Sequence, residues 1–294
     1  MQGSDEPTKQ VMLKQRLLTA AVLMPIFLAA LFLMEELGFS ILLSVFISLS
    51  LFEWANLSGI QSHTIKGIYI AAGIIIAAMF LYSGVVGQEL FIIVFALWLV
   101  VVYRLFQFAK REHAYKSALG NGPLAWLDGY FVLIPTVLGL QALKAYDSAA
   151  PQLLLIFFFI IWSADTGAYL AGRTWGKHKL APRISPGKTI EGLIGGLLAA
   201  LVVAALAAAL VWELSLQELL LWLLAVAIVT LFSVVGDLFE SIYKRRAGVK
   251  DSGKLLPGHG GILDRIDSTC AALPSYMLVL YQFDLLAATG TSLS

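Results

Sequence analysis

The sequence predicts an all-α, polytopic integral membrane protein of about nine transmembrane helices with its N-terminus in the cytoplasm. Hydrophobic residues make up 59% of the 294 and charged residues only 13%, against about 25% charged in a typical soluble domain. Mean hydropathy is +0.84. The apolar residues fall in repeated runs long enough to cross a bilayer, which takes roughly 20 residues per helix.

Residues 1–11 are polar, precede a second methionine at Met12, and are set apart as a leader or an extended start. The run 17–34 follows Arg16; it is long for a signal-peptide core, lacks an A-x-A exit and opens a series of spans, so it reads as the first helix. A short second span, 37–52, follows a tight hairpin at Glu35-Glu36. The remaining spans are 68–87, 90–106, 127–143, 151–171, 192–212, 216–236 and 266–288. Residues 12–150 form an N-terminal membrane region, and 151–294 a C-terminal region with two long loops, 172–191 and 237–265.

Orientation follows from the Lys/Arg bias of short loops. With the N-terminus inside and nine spans, Lys144 is the sole member of the 20 Lys and Arg residues left outside. An eight-span threading puts the basic 237–265 loop on the wrong side. Both long loops are then cytoplasmic, and the external connections are short.

A net charge of +1 gives no global field for nucleic acid. The single cysteine, Cys270, excludes an internal disulfide framework and a cysteine-cluster metal site, and reads as a small packed hydrophobe.

Polar residues concentrate in four places. On a helix continuing out of the eighth span, Asp237, Glu240, Ser241 and Lys244 share one face, with Gly248 as a stop. Arg245 and Arg246 also suit a plain inner-membrane boundary, but Asp237 closes an apolar run where a lone charge is costly. Lys250–Gly261 holds four glycines and one proline, suiting either an anion-binding concavity with Lys250 and Lys254 or a flexible surface loop. Asp264, Asp267 and Ser268 then share a helical face, a carboxylate pair that suits Mg²⁺; Arg265 offers an ion pair to one of them.

In the other loop, Ser185 reads as an N-cap and Pro186 as the first residue of the seventh helix, with Lys188 and Thr189 beside a phosphate-binding helix start. Capping plus positive-inside anchoring is the competing account of Lys188. Gly187-Lys188-Thr189 is not a P-loop, because Pro182 stands where the first glycine belongs and no strand precedes it. Asp165 lies inside an apolar run at an insertion cost of about 2.5–3.5 kcal/mol, which implies a polar cavity. His63, His113 and His178 read as solvated, and Glu53 and Asp128 as span-boundary residues.

The pattern Ser241-x₂-Lys244-Arg245-x₄-Lys250-Asp251-x-Gly253-x₂-Leu256-Pro257-x-His259-Gly260-Gly261-x₂-Asp264-Arg265-x-Asp267 closely resembles the signature of the phosphatidate cytidylyltransferase (CDP-diacylglycerol synthase) family of bacteria. Asp165–Tyr169 and Ser185–Gly192 resemble its secondary motifs, and the likeness covers about Ile160–Pro274. Tyr243 departs from the aliphatic or Phe usual there. The resemblance implies that CTP and phosphatidic acid give CDP-diacylglycerol and pyrophosphate, in the inner membrane, with Mg²⁺, a second cation left open, and a homodimer.

It also implies roles. Asp237 and Asp264 would hold the metal, supported by Asp267 and Asp165. Lys188, Lys244, Arg245 and Lys250 would bind phosphates, and the Pro257–Gly261 backbone would shape the nucleotide site. Glu191, Asp251 and His259 are expected among the catalytic group, and Ser185, Thr189, Ser241, Ser252, Gly260, Gly261 and Arg265 among substrate contacts.

Other classes fit less well. A transporter predicts inverted repeats, and none is visible. A CDP-alcohol phosphotransferase motif begins at Asp128-Gly129 but ends at Val132-Leu133. A CTP-using polyprenol or phytol kinase-like enzyme is separable by its product, CDP rather than pyrophosphate.

Overall fold

The computed structural model describes residues 19, 21–22, 24–110, 122–145, 150–256, 258 and 260–282. The leader 1–11, Pro257, His259 and the end of the ninth expected span lie outside the described residues.

Nine helices and one small hairpin make up the described chain. They are α1 (24–32), α2 (Glu36–Leu57), α3 (His63–Ser83), α4 (Gln88–Lys110), α5 (Pro123–Lys144), α6 (Ala150–Trp175), α7 (Ile190–Val211), α8 (Leu216–Arg246) and α9 (Leu263–Gln282). The strands β1 (Lys179–Ala181) and β2 (Ser185–Thr189) join α6 to α7. Seven helices, α2 to α8, are long and apolar enough to cross a membrane. The protein is an all-α, multi-pass membrane bundle.

Packing follows residue size. α7 buries Gly192, Gly196, Ala200, Ala204 and Ala208, one stripe at every fourth position. It exposes Ile194, Leu198, Val202, Leu206 and Leu210 on the opposite side. The small stripe lets α6 come to backbone contact: a Cβ on Gly196 would lie 2.7 Å from the Ala164 carbonyl oxygen. Small residues at the seam and large apolar ones facing outward are how helices associate in lipid, where burial of oil against oil gives no drive.

α9 is built differently. It packs against α8, α5, α4, α6 and α2, and Ser268–Met277 is buried apart from no residue of that stretch. An axial helix need not be apolar, so Ser268, Thr269 and Ser275 sit in the interior. Cys270 packs there as the small buried group expected of it.

One helix end falls where the sequence put it and one helix start does not. α8 runs to Arg246, ten residues past the apolar run, because nothing interrupts it before Gly248 at φ 71°. Its start is fixed by a capping box between Ser215 and Glu218. The correction concerns Ser185. It lies in β2, paired with Ala181, and Thr189 pairs with Lys179. Thr189 is the N-cap of α7, its Oγ1 accepting from Gly192 N at 3.1 Å. Either hydroxyl could cap, but a β-branched residue suits the extended backbone before the helix. Pro186 is exposed in its two-stranded ribbon, where a missing N–H is tolerated. The helix start expected at Ser185 therefore lies at Ile190, whose N–H donates to the His178 carbonyl.

Candidate active site

The polar residues gather at the end of the bundle where α8 leaves its apolar run and α9 begins. Gly236 makes this possible: an added Cβ there would collide with the Asp267 carbonyl, so α8 and α9 touch backbone to backbone. That contact brings the first turn of α9 beside the polar face of α8.

Lys244 sits between two carboxylates. Its Nζ lies 2.6 Å from Glu240 Oε2 and 2.7 Å from Asp264 Oδ1. The three side chains are only 9%, 3% and 6% exposed. An ammonium removed from water this completely needs such partners. Asp264 Oδ2 also accepts from Ser252 N and Gly261 N, both at 2.8 Å, and from Ser252 Oγ at 3.0 Å. Both oxygens of Asp264 are thus engaged.

The start of α9 is held from far away in the chain. Glu53 on α2 is buried, 1% exposed. Its Oε1 accepts from Ile262 N at 3.1 Å, and its Oε2 from Leu263 N at 2.8 Å and Ser252 Oγ at 3.0 Å. Glu53 therefore belongs to the site rather than to a span boundary. Asp128 on α5 is also partnered, accepting a hydrogen bond from Tyr243 behind the polar face of α8. A clue was available for Glu53: α2 continues to Leu57, and a carboxylate inside a span needs a partner.

Opposite this clamp stands a more open group. Lys188 Nζ on β2 lies 2.7 Å from Asp237 Oδ2, the two side chains being 26% and 27% exposed. Ser241 Oγ donates to Asp237 Oδ1 at 3.1 Å. Asp165 on α6 lies within electrostatic range of Lys188, Asp237 and Arg265. Asp267 lies within electrostatic range of Asp237 and Glu240. Glu240 Oε1 is buried and meets no hydrogen-bond donor.

Carboxylates that close require a shared proton or a cation. Among the described residues no three acidic, imidazole or thiol groups converge as a ready-made metal cage. The carboxylates of Asp237 and Asp267 still suit a hard divalent ion, since Mg²⁺ commonly takes one or two carboxylates and fills its shell with phosphate and water. Asp264, with its hydrogen bonds filled, is the weaker candidate.

The other expected residues divide between open and structural positions. Lys250, Asp251 and Arg265 are exposed around the rim. Arg245 spans from α8 to the hairpin, its Nε donating to the Ile184 carbonyl at 3.3 Å. Glu191 accepts from the backbone N–H of Lys177 and His178, and lies 2.6 Å from His178 Nδ1. His178 thus has a carboxylate partner while remaining 73% exposed. Gly260, at φ 82°, closes the loop through its bridge to Leu256. A Cβ on Gly261 would come within 2.5 Å of Glu53 Oε2.

Lysines and carboxylates are thus gathered at one end of a membrane-spanning bundle. The chain belongs to the cytidylyltransferase family, whose model matches residues 14–283, and it is a nucleotidyltransferase. It is 41% identical over 274 residues to a phosphatidate cytidylyltransferase of Pseudomonas aeruginosa, covering 92% of this chain and 97% of that one. It is 37% identical to the enzyme of that name from Haemophilus influenzae, covering 90% and 97%. With the Staphylococcus aureus protein of that name the figures are 36%, 92% and 100%.

Proposed function

We propose that this protein transfers the cytidylyl group of CTP to phosphatidic acid, giving CDP-diacylglycerol and pyrophosphate for phospholipid biosynthesis. The observation that carries this reading is the match to phosphatidate cytidylyltransferases over 97–100% of their length. A phosphate oxygen of phosphatidic acid forms a bond to the α-phosphorus of CTP, and the bond from that phosphorus to the bridging oxygen breaks. The lipid phosphate is already largely deprotonated near neutral pH, so no strong base is required. Repulsion between the two anions is the main obstacle, and positioning with charge neutralisation is the remedy.

Lys188, Lys250 and Arg265 are the cations set to meet phosphate oxygens. Lys188 is the most specific, because it reaches into the group as far as Asp237. Lys244, caught between Glu240 and Asp264, orders the centre rather than contacting a free anion. Asp237 and Asp267, with Glu240 beside them, would hold Mg²⁺, and Asp165 would tune the charge of that group. Bound there, Mg²⁺ would neutralise phosphate oxygens and orient them.

The same reading puts the site on the cytoplasmic face of the bacterial inner membrane. The crowding of every Lys and Arg except Lys144 into segments on one side of a nine-span threading supports this. A homodimer is supported by the family resemblance alone, and a second cation is left open. Purified protein in detergent with phosphatidic acid, CTP and Mg²⁺ should release pyrophosphate. Release of CDP instead, or of neither product, overturns the assignment.

A further inference from the structure

We propose that Glu53 is a positioning residue of the active site: a cap supplied from α2 that fixes the start of α9 and ties Ser252 and Gly253 of the preceding loop to it. This inference rests on the reaction assigned above, since it names what holds that reaction's carboxylates in place.

The first N–H groups of a helix have no partners within it. Leu263 and Asp264 in the first turn of α9, and Gly261 and Ile262 just before it, have N–H groups that are all met by side chains. Gly261 N donates to Asp264 Oδ2, Ile262 N and Leu263 N donate to the two oxygens of Glu53, and Asp264 N donates to Ser252 Oγ. Half of this cap comes from a residue more than 200 positions away. A carboxylate at this point also meets the positive end of the helix, which offsets part of the cost of burying it.

The glycines are shaped to the carboxylate. A Cβ on Gly261 would lie 2.5 Å and 2.6 Å from the two Glu53 oxygens, and one on Gly253 would collide with Glu53 Oε1. The loop thus wraps Glu53 from both of its ends. Ser252 links the two acids, its Oγ standing 3.0 Å from both Glu53 Oε2 and Asp264 Oδ2. A hydroxyl carries one hydrogen, so it donates to one of them at a time. Removing Glu53 frees that hydrogen for Asp264 and leaves the N–H groups of Ile262 and Leu263 buried without acceptors. The first turn of α9, with Asp264 and Asp267, must then shift.

The test compares full-length wild type, Glu53→Ala and Glu53→Gln in detergent, by CTP kinetics and by amide exchange. A displacement of about 1 Å at a reacting centre costs on the order of 10²-fold in rate. Glu53→Ala should accordingly lower kcat/KM by about that factor, split between a lower kcat and a higher KM for CTP. Exchange should quicken across 251–264 and stay unchanged in α6 and α7. Glu53→Gln keeps one acceptor oxygen and should fall between the two; it carries the test if the alanine variant does not fold. The proposal is overturned if KM for CTP is unchanged in the folded variants, or if exchange quickens evenly through the bundle. A wild type that releases no pyrophosphate would sink the assigned reaction, while the exchange pattern would still decide whether Glu53 holds the loop.

Discussion

Lys244 and Lys188 both pair with acids at the same end of the bundle, yet under opposite conditions. Lys244 is nearly sealed, faces two carboxylates, and one of these also accepts from two backbone N–H groups. Lys188 has one carboxylate partner, and about a quarter of each side chain in that pair is exposed. A sealed, satisfied group has no capacity left for a reactant, so its contribution is to hold α8, α9 and the loop together. The half-open pair keeps lone pairs and charge available. Lysine–carboxylate pairs with the same contact distance therefore divide into scaffold and working surface according to burial.

The two should respond differently to loss of one partner. Lys244→Met leaves Glu240 and Asp264 buried without their cation, and breaking a buried pair on one side costs about 3–5 kcal/mol. Thermal unfolding in detergent should show it as a large drop in Tm, with activity lost alongside. A stable, inactive Lys244→Met protein would instead make Lys244 a reactant-binding group. Asp237→Asn should do the reverse. At a partly exposed site the amide is tolerated, so Tm should stay near wild type while kcat falls by about 10²-fold or more. Raising Mg²⁺ should restore part of the rate, as expected if Asp237 is a ligand, and equal activity in mutant and wild type would rule that role out.

Tyr243 probes the back of the same helix. Its hydroxyl donates to Asp128, and its ring packs on Trp54 at 4.6 Å between centroids. Tyr243→Phe keeps the ring and removes the donor, leaving Asp128 short of a partner at about 1–3 kcal/mol. The expected result is a moderate fall in Tm with kcat/KM for CTP little changed, measured in the same preparation.

The sequence made the α8 face legible because helical spacing alone puts Asp237, Glu240, Ser241 and Lys244 together. The membrane bundle was legible for a similar reason, since apolar run length and Lys/Arg bias are local properties. Glu53 was not, because its partners Ser252, Ile262 and Leu263 are about 200 residues distant and no local period links them. Ending the second span at 52 hid it further; carried to Leu57, the same residue becomes a charge inside a helix. The β1–β2 hairpin was missed for a different reason. Its strands hold three and five residues, and the longer one includes a proline, a glycine and two hydroxyls of capping type.

That last ambiguity carries a small, specific prediction. Thr189 Oγ1 accepts from Gly192 N, while Ser185 belongs to the strand. Losing a helix cap costs typically about 1 kcal/mol. Thr189→Ala should therefore lower Tm by a few degrees at most, whereas Ser185→Ala should leave it within error. Because Lys188 precedes the cap directly, fraying of α7 would also loosen its hold on Asp237, so Thr189→Ala should raise KM for CTP modestly. If Ser185→Ala proves the more damaging change, the helix starts where the sequence first suggested, and Lys188 lies within its opening turn.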